Sequence, residues 1–258
     1  MQKPSILVTN DDGYQARGLK KLASLMRTIG NVTVVSTEKV MSAQGHSITM
    51  RDPLTVRQTV AEEGYLEFVC NGTPVDCVKL GYQCGLSQKP DIIVSGINHG
   101  TNASVNLVYS GTMAAVVEAC MDGYPAIGFS LNCYDADADF DHLDKYIIEI
   151  TRKVLVEGLP KGISLNVNFP KRCEEPIRGI RVCRQARGQW TEKYASTKNP
   201  DGTINFQICS GAFLCDDNED NDVTAVANNF VSIQPVHFDW TAYHQIAKMK
   251  SYELIHIL

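Results

Sequence analysis

The sequence holds no apolar run approaching the roughly 18 residues that a membrane-spanning helix needs. Its first residues lack the charged, apolar and small-residue succession of a secretory signal. A cytoplasmic protein with no membrane partner is therefore expected. No Cys-x-x-Cys pair occurs among the nine cysteines. An odd count without paired spacing speaks against a disulfide framework or a zinc site. Cys77 and Cys84 fall in a helical pattern, so the cysteines are expected to be reduced and mostly buried. The first strand is not followed by Gly-x-Gly-x-x-Gly, and Gly-Lys-Ser/Thr is absent. Dinucleotide-binding and Walker-type phosphate loops thus have no support. Basic residues are also in the minority: 24 Lys and Arg against 29 Asp and Glu give a formal net charge of −5. That balance does not favour a nucleic-acid duplex or an anionic membrane as partner.

What is present is core-forming material, 44% of 258 residues, enough for one large domain or two small ones. Ile6-Leu7-Val8 reads as a strand buried on both faces. Its C-terminal end carries Asn10, Asp11, Asp12 and Gly13. Adjacent carboxylates repel unless something compensates them, and a hard cation is the natural partner. Ligands in open α/β sheets sit outside the carboxyl ends of the strands, where these acids fall.

A helix over Gly18–Ile29 and a strand over Val32–Ser36 make the opening β-α-β, which favours a parallel sheet. Thr37–Arg51 reads as a polar loop holding Ser42, His46 and Ser47; Leu54–Val60 and Tyr65–Val69 read as a strand pair. Thr73-Pro74 with Asp76 has the spacing of a capping box and opens a helix to about Tyr82. A second buried strand, Pro90–Gly96, ends in Ile97-Asn98-His99-Gly100. Ser110-Gly111-Thr112 then opens a helix to Met121, presenting hydroxyls and free N–H groups as an anion cradle would. Strands follow at Ala126–Leu131 and Ile163–Phe169, the latter with Ile163, Leu165, Val167 and Phe169 facing inward, separated by a helix over Phe140–Val156. From about Gly188 to Asn229 the pattern is less regular, with a strand near Phe230–Ile233 and a closing helix over Trp240–Lys250. Asp216–Asp222 departs from a calcium loop, having Asn221 for Gly and Ala227 for Glu, and is expected to be a solvated acidic loop.

The three polar segments supply carboxylate, amide and hydroxyl oxygens with no thiolate set, favouring Mg²⁺, Mn²⁺ or Ca²⁺ over zinc. A cation beside an anion cradle fits phosphate chemistry. His46 and His99 are candidates for proton transfer, or for fixing the loops that carry them.

The chain resembles the SurE family in Val8-Thr9-Asn10-Asp11-Asp12-Gly13, in Ser42 with His46-Ser47, and in Gly72-Thr73-Pro74-Val75-Asp76-Cys77. The resemblance continues through Ser95-Gly96-Ile97-Asn98-His99-Gly100-Thr101-Asn102, Tyr109-Ser110-Gly111-Thr112, Leu165-Asn166-Val167-Asn168 and Phe230-Val231-Ser232-Ile233. It implies a metal-dependent phosphatase acting on nucleoside monophosphates, at 5′ or 3′, with one divalent cation, Mg²⁺ or Mn²⁺. The expected fold is α/β: a three-layer, Rossmann-like, mostly parallel sheet over about 1–185, and an irregular β-rich extension with an oligomerising arm over about 186–258. A homodimer or homotetramer is expected. The resemblance gives the metal-ligand role to Asp11, Asp12, Ser42 and Asn98 and places Asn102, Ser110, Gly111 and Thr112 around the phosphate. Asp11, Asp12 and Asn98 are the expected catalytic residues, and His46 is counted with the substrate-binding ones. The nucleophile is either a metal-activated water or an aspartate. Two positions depart from the family pattern: Arg17 stands where Pro is usual, and Asn106 where Asp is usual.

A receiver-type signalling module also puts paired acids after its first strand. Its phospho-accepting Asp would fall at about Gly96, which has no carboxylate, and the chain is roughly twice a receiver's length.

Overall fold

The computed structural model describes residues 3–135 and 137–253. The elements run in the order β1 (Ser5–Thr9), α1 (Arg17–Arg27), β2 (Asn31–Thr37), β3 (Val56–Glu62), β4 (Tyr65–Cys70), α2 (Pro74–Gln83) and β5 (Ile92–His99). Then come α3 (Asn106–Tyr109), α4 (Gly111–Met121), β6 (Ala126–Leu131), α5 (Asp144–Glu157), β7 (Ile163–Phe169) and β8 (Ile180–Val182). The last are β9 (Gly188–Lys198), β10 (Ile204–Cys215), α6 (Asp222–Ala227), β11 (Val231–His237) and α7 (Tyr243–Met249).

Nine strands join in one sheet in the order β3-β4-β2-β1-β5-β6-β7-β11-β8. The strands from β4 to β7 pair parallel, and β3 and β11 run antiparallel to their neighbours β4 and β7. Side chains alternate across a strand, and β1 shows why its apolar run is unbroken. Ile6 and Val8 join the cluster containing Leu19, Leu22 and Met26 of α1 and Ile147, Ile150 and Val154 of α5. Leu7 points the other way, into the cluster of Val78 from α2 and Met113 and Val116 from α4. The result is three layers, with α1 and α5 on one face of the sheet and α2 and α4 on the other.

The capping box of α2 forms as its spacing predicts. Thr73 Oγ1 accepts the Asp76 N–H at 3.2 Å, and Asp76 Oδ2 accepts the Thr73 N–H at 2.9 Å. The same groups hold the long loop after β2. Thr73 donates to the Ser47 carbonyl at 2.8 Å, and the Thr49 hydroxyl donates to Asp76 at 2.6 Å.

Three expectations are modified. The alternation in β7 does not mark a solvent face, because Ser164, Asn166 and Asn168 are as buried as their apolar neighbours. The stretch expected to be irregular contains a long, regular antiparallel hairpin, β9 with β10, most of whose residues are exposed. The acidic segment is only partly solvated. Asp216 and Asp220 grip the Arg184 guanidinium, but Asp222 is fully buried and accepts the N–H groups of Ser104 at 2.8 Å and Ala186 at 2.9 Å. Burial holds the Asp222 carboxyl above its ordinary range, against the pull of those N–H bonds. No disulfide joins the nine cysteines, of which Cys70, Cys77, Cys120, Cys133 and Cys183 are buried. Among the described residues no helix is long and apolar enough to cross a membrane. The end of the expected C-terminal arm, 254–258, lies outside the described residues.

Candidate active site

From β1 the chain crosses to β2 on one side, while β5 lies on the other. The boundary between β1 and β5 is thus where the strand order reverses, and a crevice opens at such a point. Because Thr9 pairs with Ser95 in register, the two strand ends deliver Asp11-Asp12 and Asn98-His99 to the same rim. The start of α4 reaches that rim from the helical layer. A Cβ on Gly111 would lie 2.7 Å from the Asp11 Cβ, so only glycine lets helix and carboxylate approach this closely.

Asp11 is 3% exposed. Its carboxyl is pushed up to about 6, first by burial and then by the neighbouring charge of Asp12, with hydrogen bonds from Thr112 opposing. The Thr112 hydroxyl lies 2.5 Å from Asp11 Oδ1 and 3.3 Å from Asn98 Oδ1. It has one hydrogen to give, and the shorter contact takes it. The Asn98 amide nitrogen donates to the carbonyls of His99 at 3.2 Å and Gly100 at 2.8 Å, which turns its oxygen toward the Asp11 side. Asp12 Oδ2 accepts the His99 N–H at 3.2 Å and lies 3.6 Å from the ring Nδ1.

A cleft of about 290 Å³ is lined by Asp11, Ser42, Asn98, His99, Asn102 and Ser110, among others. Gly111 and Thr112 stand buried behind it. Of the residues singled out in the sequence, Asp12 stands at the rim against His99 and is not part of the cleft's lining. His46 lies elsewhere: its Nε2 is 2.7 Å from Glu118 Oε2, and its ring lines a neighbouring cavity of about 420 Å³ that also touches Ser110. Both hydroxyls of the expected anion cradle are engaged within the protein. Ser110 Oγ accepts the Met113 N–H at 3.0 Å, and Thr112 serves Asp11.

Sequence reasoning missed the residues that hold the cleft's far wall. Asn168 Oδ1 accepts the Asn102 N–H at 2.8 Å and the Thr101 hydroxyl at 2.9 Å. Asn166 Nδ2 donates to the Asn102 carbonyl at 2.8 Å, and the Asn102 side chain donates to Ser130 at 2.8 Å. The signal was two asparagines alternating with Leu165, Val167 and Phe169 in one strand, since a buried amide requires partners.

The donor set fits a hard divalent cation. It offers the Asp11 carboxylate, an oriented amide oxygen and the Ser42 hydroxyl in the cleft, with the Asp12 carboxylate beside Asp11 at the rim. Among the described residues no three or more His, Cys, Asp or Glu come together as a metal-holding group of their own. The ion pairs among the described residues include none between Lys or Arg and either Asp11 or Asp12. A buried carboxylate without a basic partner is costly, and a cation relieves that cost.

Fold and site together define a Rossmann-like α/β protein with an oxygen-lined crevice at its topological switch point. The family model for survival protein SurE matches residues 6–192. The protein named 5′-nucleotidase SurE from Flavobacterium psychrophilum is 48% identical over 98% of this chain and 99% of its own length. The protein of the same name from Bacteroides fragilis is 40% identical over 98% of this chain and 99% of its own. The crystal structure of the SurE protein from Aquifex aeolicus superposes with a TM-score of 0.81 at 34% identity, covering 97% of this chain and all of that one. The chain belongs to the SurE family.

Proposed function

We propose that this protein is a divalent-metal-dependent phosphatase that hydrolyses nucleoside 5′- and 3′-monophosphates to nucleoside and phosphate. The observation that carries the reading is the Asp11 carboxylate: almost solvent-free, beside a second carboxylate, unpaired with any Lys or Arg among the described residues, and open to a cleft. The name 5′-nucleotidase, carried by relatives over their full length, supports the same activity. Asp11, Asp12, Asn98 and Ser42 would hold one Mg²⁺ or Mn²⁺. Such an ion supplies positive charge to the phosphoryl oxygens as negative charge builds on them.

The chain's own residues do the rest. Thr112 and the start of α4 hold Asp11 in place. The carbonyls of His99 and Gly100 fix the Asn98 amide, so its oxygen needs no reorganisation on binding. Asn102 stands on the far wall, braced by Asn166 and Asn168. His99 beside Asp12 is placed to move a proton at the rim. The exposed hairpin and α7 would be covered in a homodimer or homotetramer, and a cytoplasmic setting is inferred.

The test is phosphate release from a panel of nucleoside 5′- and 3′-monophosphates after chelation, then after adding Mg²⁺ or Mn²⁺. Release should vanish with chelator and return with metal. Turnover that ignores the chelator would overturn the metal-dependent reading. Single-turnover hydrolysis of a ³²P-labelled substrate with a rapid acid quench separates attack by an aspartate, which leaves label transiently on the protein as an acyl phosphate, from attack by water, which leaves none.

A further inference from the structure

The acid cleft has a second kind of wall. Tyr109, Tyr134 and Trp190 line it together with Asp11 and Asn98. All three rings are exposed, at 53, 70 and 41%. They come from three separate segments: the end of α3, the loop after β6, and β9 of the hairpin.

Trp190 is held in place. Its indole N–H donates to Asn106 Oδ1 at 2.8 Å, and Phe213, its register partner on β10, packs against it with ring centroids 5.1 Å apart. Asn106 is itself anchored, its amide nitrogen donating to the Thr101 carbonyl at 3.2 Å. The amide suits this position because it accepts on one side and donates on the other, which a carboxylate cannot do. The root of the hairpin is fixed to the same wall: Asp222 joins the N–H groups of Ser104 and Ala186, and Ser104 Oγ donates to the Ala186 carbonyl at 2.9 Å. The exposed indole is thus a preorganised surface.

The cleft therefore presents phosphate-handling oxygens on one side and aromatic faces on another, within about 290 Å³, near the lower limit for a small-molecule site. Every nucleobase has a π-face, and stacking on an aromatic side chain is tolerant of base identity. The neighbouring cavity of about 420 Å³ contains neither Asp11 nor Asn98 and is walled by Leu107, Val108, Met113 and Val236.

We propose that the indole of Trp190, positioned by Asn106 and flanked by Tyr109 and Tyr134, is the surface on which the substrate's nucleobase stacks. This rests on the nucleotidase reading, and it makes the enzyme selective for phosphomonoesters that bear a base over those that do not. Asn106 acts through Trp190 as a positioning residue.

The experiment compares adenosine 5′-monophosphate with ribose 5-phosphate for the wild type, Trp190→Ala, Trp190→Phe and Asn106→Ala. Phosphate release and equilibrium dialysis are both measured in the presence of Mg²⁺, with circular dichroism as the check on folding. The ratio of kcat/KM for the nucleotide to that for the sugar phosphate should fall about tenfold in Trp190→Ala, chiefly through KM. Trp190→Phe should recover part of the ratio, and Asn106→Ala should lower it less than Trp190→Ala does. A ratio within twofold of wild type in folded Trp190→Ala overturns the proposal. If the wild type releases phosphate from neither compound, the nucleotidase reading has failed, and dialysis decides the stacking surface separately. Nucleotide binding weakened by Trp190→Ala then supports it, and unchanged binding overturns it.

Discussion

The Thr112 hydroxyl donates to Asp11 Oδ1 at 2.5 Å, so the first turn of α4 stabilises a charged aspartate inside the protein. Removing that hydroxyl while keeping the shape isolates its contribution. In Thr112→Val the Asp11 carboxyl loses a bond that favours its ionised form and should hold its proton more tightly. Mg²⁺ affinity should fall about tenfold, as for the loss of about 1–1.5 kcal/mol, whereas Thr112→Ser should stay close to wild type. Calorimetric titration of both variants at neutral pH checks this.

In the proposed site, Asp11→Asn and Asp12→Asn would each remove one of the two formal charges offered to a bound cation. Turnover of a phosphomonoester should fall by at least about a hundredfold in either variant, with an unchanged circular dichroism spectrum. Near wild-type rate and metal affinity in both would mean that the site lies elsewhere.

The raised pKa of Asp11 has a stability consequence with a definite sign. A carboxyl that rises from 3.8 to about 6 on folding binds its proton more tightly in the folded chain. Its contribution to metal-free stability therefore falls as pH climbs from about 4 to about 6, and is level beyond. Asp11→Asn lacks this titration. With chelator present, the variant should gain in Tm relative to wild type as pH rises across that window, by about 3–6 °C. If Asp11 holds the proposed cation, protons compete with it below pH 6, and metal affinity should drop about tenfold per unit. Thermal melts and metal titrations between pH 4.5 and 8 read both effects.

Asn168→Ala strips the acceptor from the Asn102 N–H and the Thr101 hydroxyl. The stranded buried donor should cost about 1–3 kcal/mol, a fall in Tm of about 2–8 °C. Because the loop it releases lines the cleft, kcat/KM should fall as well. A variant that lost only stability would show that the loop is held without Asn168.

Ser110→Ala should be milder than any change at the acids. The helix loses the side chain that caps the Met113 N–H, worth about 1 kcal/mol. The backbone N–H groups at the start of α4 remain, so activity should stay within about tenfold of wild type. Melting curves and steady-state kinetics on the same preparation separate the two effects.

The local chemistry of this protein is legible because its causes lie within a few residues of each other. Ile6-Leu7-Val8 could satisfy an unbroken apolar run only between two helical layers. Thr73, Pro74 and Asp76 had to open a helix because their spacing closes a capping box. Asp11 and Asp12 fall just past β1 and Asn98 lies at the C-terminal end of β5, where an α/β sheet leaves room for a ligand. Other features hide because their cause is distant in sequence. Asn166 and Asn168 occupy positions that would face solvent in an isolated strand, and only the packing of 101–102 and Gln234 turns that face inward. Asp222 resembles its solvated neighbours until Ser104, 118 residues away, brings its N–H to it.

What the sequence by itself determined is most strands of the main sheet, though neither β8 nor the β9–β10 hairpin, with the capped helix and the location of the acids, each a matter of local pattern and backbone propensity. What only the tertiary structure decided is which polar groups face one another. Thr112 turned from the anion cradle to Asp11, His46 turned away to Glu118, and Trp190 of the hairpin came to stand in the acid cleft. The reason is that a buried hydrogen-bonding group takes whatever partner the fold brings within about 3 Å. For these groups that partner comes from another element of the sheet or its layers, at a sequence separation no local pattern spans.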